Sequence, residues 1–492
     1  MEDTQDVTAI EAKKTSFRNV FLWSSYDAAD TLFSQAVISL IFQPFVLLVA
    51  FFNGVESYSQ AFLYMSLFMA LSNLLVALLG PFIGALSDTI GRRNPLVLIA
   101  ASFMMLATLG MLLWKNWVWL CIMFVVANFC YQAGRMFFDS MVPFLSETKK
   151  RGLVSSISGS LSFIGTMAAI GLGMAVYGKT NEPDVPARIY EQALENASNL
   201  QPGSEPNFGN LWLFIVLSVI AIALMTLPFV FSKEKTQPSE NGIKTNLKIA
   251  RTNFRQTLRE LFKYKNALIF IIAWFFVTDA ANTAILYMNA VLTDGSGGSP
   301  TDALIIIAVG GVLAMVGAIG HGILMDKIGP KKNFLINIIA WGIAIVLAIV
   351  ATSLNGYHLA NGIHLNEAGT ASAWAYKIMF AMVIPIGIGF GGIWIIGRQF
   401  IYQLAPPSKV TQYMGFKQIS GRVSAIVSPL IFSGFIALSD TLGLSIPYGF
   451  TIALIPIFVF FVIGFIIITR YKSVHYEYLG GERAPYKKLQ KK

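Results

Sequence analysis

The segment 84–93 reads GALSDTIGRR, and its pattern of small, acidic and basic residues recurs as GILMDKIGPKK at 322–332. Each copy follows a long apolar run and ends in basic residues, as expected of a turn between two membrane-spanning helices. The copies are 238 residues apart in a chain of 492. A motif that recurs near half the chain length predicts two related halves. The matched positions are Gly84, Leu86, Asp88 and Gly91 with Gly322, Leu324, Asp326 and Gly329.

Two further repeats flank this motif in the same order. The stretch DAADT at 27–31 returns 252 residues later as DAANT at 279–283. The pair Gly134-Arg135 returns 263 residues later as Gly397-Arg398. Three repeats in matching order make coincidence improbable, so we expect the two halves to be structurally equivalent.

The composition requires a lipid environment. Hydrophobic residues make up 55% of the chain and charged residues 13%, with a mean hydropathy of +0.63. A spanning helix needs about 20 mostly apolar residues. Runs of that kind occur at 20–52, 58–87, 95–114, 117–145, 153–178, 210–232, 267–292, 302–325, 332–354, 372–397, 413–438 and 447–470. They predict an all-α membrane protein with twelve transmembrane helices in two pseudo-symmetric six-helix bundles.

Basic residues predict the topology. The formal charge of +10 comes from Lys and Arg in short stretches between apolar runs, so no nucleic-acid partner is expected. The segments 293–301, 355–371 and 439–446 contain no Lys or Arg, whereas alternate loops are basic. Because Lys and Arg accumulate in cytoplasmic loops, both termini are predicted to be cytoplasmic. The cell membrane is the first expectation, and a vacuolar or other organelle membrane is the alternative.

The repeats also predict the domain organisation. A long basic stretch at 233–266 separates six apolar runs from six others, and its Lys248, Arg251, Arg255 and Arg259 would line one face of a helix. We expect the N-terminal bundle to comprise residues 1–232, the cytoplasmic linker 233–266, the C-terminal bundle 267–470 and a cytoplasmic tail 471–492.

Charged residues inside the apolar runs are candidate functional residues. Each costs about 2.5–3.5 kcal/mol on insertion scales, so each should face protein or a water-filled cavity. Arg135 lies at a depth similar to that of Asp27 and Asp30, which predicts an ion pair. The repeat extends this to a hypothesis of one acid and one base per half; the alternative is that these pairs only fix helix packing. The candidate substrate or coupling residues are Asp27, Asp30, Arg135, Asp279, Asn282, Arg398 and Arg422.

This charge pattern suits a zwitterionic solute. An ammonium group can bind an aspartate and a carboxylate can bind an arginine, while carboxylates in apolar cavities are candidates to carry a coupling proton. The sequence shows no paired histidines, phosphate-binding loop or nucleophile constellation, so no catalytic residue is predicted and the chain is not expected to be an enzyme. We also predict no metal site and no cofactor.

The 84–93 segment resembles the signature loop between the second and third helices of major facilitator transporters. The resemblance implies the major facilitator fold and a clamp in which Asp88, Arg92 and Asp139 hold the outward-open state. In the second copy Pro330 replaces the matching arginine, which implies a weaker clamp. The alternative is a turn that only stops translocation. The implied gating residues are Gly84, Asp88, Gly91, Arg92, Arg93, Asp139 and Asp326.

The stretch WSSYDAADT at 23–31 resembles the opening helix of the autophagy-related vacuolar effluxer family and its prokaryotic relatives. Further matches are RGLVS at 151–155, the 279–283 repeat, and the pairs GF at 415–416 and SP at 428–429. The resemblance implies a secondary transporter, and in the vacuolar members an exporter of neutral amino acids.

These observations predict a secondary active transporter that acts as a monomer. It would move a small organic solute, with amino acids first, by alternating access coupled to H⁺ or Na⁺. A cation-coupled sugar symporter of the glycoside and hexuronide type is the alternative, although run 58–87 lacks the Asp-x-x-x-Asp-Pro element usual in that class. A channel would not need a duplicated gate.

Overall fold

The structure is a computed structural model. It describes residues 15–485 except 43–44, 47–48, 51–52, 54–57, 178–208, 235–238, 262–264, 364–371, 406–408, 472–475 and 480–481. Most of the segment between the fifth and sixth predicted apolar runs, residues 179–209, therefore lies outside the described residues.

The described chain is almost entirely helical. Before the basic linker the helices are α1 (Phe17–Leu32), α2 (Tyr58–Ile90), α3 (Asn94–Gly110), α4 (Trp117–Asp139), α5 (Arg151–Tyr177) and α6 (Gly209–Val230), with short turns at Val142–Leu145 and Thr148–Lys150. The linker contains α7 (Ile243–Leu261). After it come α8 (Lys265–Ala290), α9 (Pro300–Ile328), α10 (Pro330–Asn361), α11 (Ala373–Ala381), α12 (Val383–Leu404), α13 (Val410–Thr441) and α14 (Ile446–Thr469).

Each predicted apolar run coincides with a helix. Within the described residues, nine helical segments are long and apolar enough to cross a membrane. The remaining three runs correspond to α1, α3 and α13, of which α3 is a shorter apolar helix. The count of twelve spans therefore stays a prediction, while the multi-pass helical architecture is established.

Local sequence explains where several helices begin and turn. Ser299 accepts the backbone N–H of Asp302 while the Asp302 carboxylate accepts that of Ser299, a capping box that starts α9. The turns after the repeated motif pass through Gly91 and Gly329, whose φ angles of 77° and 79° are in the region that glycine adopts without a Cβ clash.

Three of the spans depart from regular α geometry. α1 continues as a π-helix over Phe33–Phe42, and α8 continues as one over Val291–Gly295. The tenth run is interrupted by a turn at Met382, between α11 and α12, three residues before Pro385. Proline has no N–H and clashes with the preceding helical turn, which accounts for the interruption.

The chain forms two compact units. The first unit contains the described residues up to 147 and 157–251, and the second contains 148–156 and those from 252 onward. The division therefore falls inside α7, between Arg251 and Thr252, and the first residues of α5 group with the second unit. The predicted domain boundaries at 232 and 266 stay predictions.

Three helix pairs of the first unit recur at equivalent positions in the second. In the first unit α1 packs on α6, α2 on α4 and α3 on α6. In the second unit the corresponding pairs are α8 on α14, α9 on α12 and α10 on α14. Repeated sequence thus produces repeated packing, as expected of duplicated bundles.

The C-terminal tail adds a small element to the helical fold. Tyr476–Leu479 pairs antiparallel with Glu482–Pro485, and Leu479 is opposite Glu482.

Candidate functional site

The first unit contains a buried cluster of opposite charges. Arg135 on α4 places Nη1 2.5 Å from Asp30 Oδ2 and 3.4 Å from Asp27 Oδ1, both on α1. The structure therefore forms the ion pair that equal depth in the two helices predicts.

A third helix completes this cluster. Ser158 on α5 donates a hydrogen bond of 2.5 Å to Asp27 Oδ2. α5 approaches α1 this closely because residue 165 is glycine: a Cβ there would lie 2.1 Å from the carbonyl oxygen of Ala28. Ser158 was not among the predicted site residues, although it lies in the serine-rich start of α5.

The cluster contains more acid than base. It has two carboxylates and one guanidinium, and Asp30 Oδ1 has no hydrogen-bond partner within the described residues. The Asp27 and Asp30 side chains are 1% exposed, whereas that of Arg135 is 21% exposed. Arg135 is therefore the most exposed member of the cluster, and the surplus negative charge can accept a proton or a cationic group.

Aromatic rings lie beside the cluster. Trp23 stacks on Phe138 with ring centroids 4.3 Å apart, and Tyr26 packs against Phe138 at 5.2 Å. Gly134 makes room for Tyr26, because a Cβ at 134 would lie 2.4 Å from the Tyr26 hydroxyl. The repeated Gly-Arg pair thus has a physical basis in the first unit: the glycine accommodates Tyr26 and the arginine binds the acids.

The second unit does not repeat this arrangement. Asp279 Oδ1 accepts the backbone N–H of Ser428 on α13 at 3.2 Å, and within the described residues Asp279 forms no ion pair. Arg398 is buried on α12. Within the part of the chain that the structure describes, Asp279 therefore forms no ion pair like that of Asp30 with Arg135, because α8 packs along α13 and presents Asp279 to its backbone. The hypothesis of one acid and one base per half stays a prediction.

The other two predicted residues of the second unit occupy less buried positions. Asn282 lies one turn after Asp279 on α8 and is half-buried. Arg422 lies on α13 and is also half-buried. Their part in binding a solute stays a prediction.

Arg93, rather than Arg92, is the buried arginine of the first motif. Arg93 Nη2 lies 2.7 Å from Asp88 Oδ1, and its guanidinium lies 4.2 Å from the Phe144 ring centroid. Arg92 is exposed. The resemblance implies a clamp of Asp88, Arg92 and Asp139, which stays a prediction, whereas the ion pair that Asp88 forms here is with Arg93. Asp139 is buried one turn beyond Arg135 on α4.

Glu234, just after α6, joins the Arg93 cluster. Its carboxylate accepts the backbone N–H groups of Arg93 at 2.7 Å and Asn94 at 3.1 Å, and also lies 3.3 Å from the Arg93 guanidinium. These N–H groups begin α3, where a helix leaves its first donors unsatisfied and favours negative charge. Sequence reasoning missed Glu234 because it lies 141 residues from Arg93.

The aspartate of the second motif, Asp326, has hydrogen-bond partners of a different kind. Asp326 accepts the backbone N–H groups of Gly152 at 2.8 Å and Leu153 at 2.9 Å, at the start of α5. Gly152 has no space for a side chain, since a Cβ would lie 2.4 Å from the Gly322 carbonyl oxygen. The matching lysine, Lys331, donates instead to the carbonyls of Thr469 and Tyr471.

Two units with matching helix pairing, buried charges inside apolar helices and a duplicated turn motif define a transporter of the major facilitator class. Solved structures of that fold are similar. A bacterial homologue of the iron transporter ferroportin, in its outward-facing state, superimposes with a TM-score of 0.61 at 12% identity, covering 92% of this chain and 98% of that one. The proton:xylose symporter XylE gives 0.56 at 13% identity, covering 92% and 95%.

The sequence model of the family described as "Vacuole effluxer Atg22 like" matches residues 47–473, and the chain belongs to this family. The MFS-type transporter YxiO of Bacillus subtilis is 23% identical over 451 residues, 91% of this chain and 93% of that protein. Autophagy-related protein 22 of Yarrowia lipolytica is 22% identical over 179 residues, 36% of this chain and 28% of that protein.

Proposed function

We propose that this transporter moves small organic zwitterions, amino acids first, by alternating access with coupling to a cation. The observation that supports this most directly is the first-unit cluster, in which a partly exposed Arg135 stands beside Asp27 and Asp30 in an apolar membrane helix.

Each end of a zwitterion has a complementary group in this cluster. A substrate carboxylate would bind the exposed part of Arg135, because a planar guanidinium can bind two carboxylate oxygens at once. A substrate ammonium group would be attracted by the negative charge of Asp30, whose Oδ1 has no hydrogen-bond partner in the described residues. Asp27 would stay fixed by Ser158 and keep the arginine oriented.

The motif residues would provide the gate. Asp88, Arg93 and Glu234 connect the end of α2, the start of α3 and the segment after α6 through charged hydrogen bonds. Such contacts can be made in one conformation and broken in another, which is the requirement for a gate. We place this gate on the cytoplasmic side, in agreement with the predicted topology.

The test uses purified full-length protein. Thermal unfolding is measured against panels of amino acids, peptides and sugars at two pH values, and the stabilising compounds are then used for transport in proteoliposomes. We expect amino acids to raise the unfolding midpoint and to be transported. Stabilisation and transport of sugars alone would contradict the proposal and favour the sugar-symporter alternative.

Two variants test the site. Asp30→Asn should abolish transport while folded protein is retained, and Arg135→Lys should weaken binding because a lysine cannot bind a carboxylate in bidentate fashion. Glu240→Gln removes an exposed carboxylate and is the matched control, with transport expected to be unchanged. Full transport by Asp30→Asn and Arg135→Lys would refute the assignment.

A further inference from the structure

Three buried oxygen atoms of the second unit make no hydrogen bond within the described residues. They are Asp279 Oδ2 and Thr283 Oγ1 on α8, and Ser428 Oγ on α13. Asp279 and Thr283 are four residues apart and so lie on the same helix face. The Ser428 N–H to Asp279 Oδ1 bond holds α13 against this face. Unsatisfied polar groups are unfavourable in protein interiors, and three of them on two helices that pack together favour a ligand that would satisfy them.

The charge at this place is uncompensated. Asp279 is fully buried and forms no ion pair in the described part of the chain, unlike Asp27 and Asp30 beside Arg135. A buried carboxylate without a counter-charge is strongly unfavourable, and its single N–H donor supplies only a dipole. The ligand must therefore bring positive charge.

Burial limits the size of this ligand. Asp279, Thr283 and Ser428 each have 0% relative exposure, which leaves no open face for an organic ammonium ion. A proton alone would let Asp279 Oδ2 donate to one of the two hydroxyl oxygens and would leave the other unsatisfied. A small cation coordinated by all three oxygens satisfies each of them.

The chemistry of the donors identifies the class of cation. All three are hard oxygen ligands, which suit alkali and alkaline-earth ions rather than transition metals. One carboxylate neutralises one positive charge, whereas a divalent ion would leave a buried excess. Among the described residues, no three His, Cys, Asp or Glu side chains gather at a possible metal site.

The backbone of α13 adds a further oxygen of the right kind. Pro429 follows Ser428 and has no N–H, so the carbonyl of Ala425 loses its ordinary helical donor. Carbonyls freed within interrupted membrane helices coordinate Na⁺ in other secondary transporters.

We propose that Asp279, Thr283 and Ser428 bind one Na⁺ ion. The ion holds α8 and α13 together and neutralises Asp279, so its arrival and departure change the contact between these two helices. Its use as the coupling ion rests on the proposed function, but its binding does not require transport.

The experiment measures binding to full-length protein in detergent, without substrate. Unfolding midpoints are compared in NaCl, KCl and choline chloride at equal ionic strength, together with equilibrium binding of radioactive ²²Na⁺. We expect a midpoint that rises with Na⁺ concentration, since a ligand of the folded state stabilises it, and a stoichiometry of one ion per chain.

Variants locate the ion. Asp279→Asn and Thr283→Val should weaken Na⁺ binding about tenfold or more, whereas Thr283→Ser, which restores a hydroxyl, should recover it. Asp294→Asn removes an exposed carboxylate just beyond the end of α8 and should bind Na⁺ like the wild type. Thr283→Val provides the test if Asp279→Asn does not fold.

Equal midpoints in the three salts, or wild-type Na⁺ binding by both Asp279→Asn and Thr283→Val, would overturn the site. A midpoint that depends on pH but not on Na⁺ would also overturn it and assign a proton to Asp279. Na⁺ binding without amino-acid transport would refute the proposed function alone, and transport without Na⁺ binding would refute only this inference.

Discussion

The aspartates of the two units are stabilised in different ways. In the first unit Asp27, Asp30 and Asp88 each contact an arginine side chain. In the second unit Asp279 and Asp326 accept backbone N–H groups, and neither forms an ion pair among the described residues. Equivalent positions of one repeat thus have a full counter-charge in one unit and dipoles in the other.

This difference allows the two bundles to have different roles, one in recognising a solute and the other in binding an ion. An arginine beside the acids gives the first unit a permanent charge pattern that can recognise a charged solute. Dipoles stabilise a carboxylate but do not neutralise its charge. The buried Asp279 carboxylate of the second unit can therefore still bind a cation. The asymmetry therefore favours solute recognition in the first unit and ion binding in the second.

The largest effect is expected when the first-unit arginine is removed. Arg135→Gln leaves Asp27 and Asp30 buried without a counter-charge and should destabilise the protein by about 3–5 kcal/mol. It should also abolish transport. Unfolding by denaturing detergent, followed by circular dichroism, measures the stability change.

The matched change in the second unit is Asp326→Asn. Gly152 N–H and Leu153 N–H bind different oxygens of Asp326, and asparagine has only one amide oxygen, so one of the two N–H groups loses its acceptor. We therefore expect a loss of about 1–3 kcal/mol, the usual cost of leaving a backbone donor unsatisfied. Equal losses of stability for Arg135→Gln and Asp326→Asn would show that an arginine and backbone N–H groups stabilise these aspartates equally.

An intermediate effect is expected at the first motif. Arg93→Gln removes the charged hydrogen bonds to Asp88 and Glu234 and should cost about 1.5–3 kcal/mol, the usual range for hydrogen bonds to charged groups. Arg92→Gln removes the same charge from an exposed neighbour and should leave the unfolding midpoint nearly unchanged. A larger loss for Arg92→Gln than for Arg93→Gln would show that Arg92, and not Arg93, makes the ion pair with Asp88.

The smallest effect is a pH dependence at the start of α9. Burial would raise the pKa of the Asp302 carboxyl, but hydrogen bonds from the Ser299 N–H and hydroxyl and from the Tyr376 hydroxyl lower it below its usual value. Because the folded-state pKa is depressed, ionised Asp302 stabilises the protein above roughly pH 4, and this is lost as the pH falls through the folded-state pKa.

We expect Asp302→Asn to cost about 0.3–1 kcal/mol at neutral pH and to differ little from the wild type in strong acid. The measurement is the unfolding midpoint of both proteins between pH 3 and pH 7. A constant difference across this range would exclude the carboxylate charge as the cause.

Much of the fold could be predicted because hydropathy and repeats are properties of local sequence. The helices, the equivalent helix pairs of the two units and the Arg135 contact with Asp30 all follow from run length and depth. Contacts that depend on the direction of a side chain could not be predicted in this way. Adjacent arginines at 92 and 93 match a motif equally well, yet only one of them is buried.

Partners from distant segments also escaped prediction. Ser158 and Glu234 lie 131 and 141 residues from the groups they bind, and no periodicity connects them. The repeat predicts the position of Asp279 in its helix but not its hydrogen-bond partner, because equivalent positions need not have equivalent neighbours. Ser428, which binds Asp279, appeared in the sequence only within the SP pair of the family resemblance.

The π-helical continuations of α1 and α8 occur at equivalent places. Adding the repeat spacing of 252 to 33–42 gives 285–294, which overlaps the observed Val291–Gly295. A π turn contains one residue more than an α turn, so removing a single residue from either segment could restore ordinary helix at the cost of rotating everything beyond it by about 100°. Each bundle thus has, downstream of its acidic motif, a place where a change of one residue in chain length also changes the direction of every side chain beyond it.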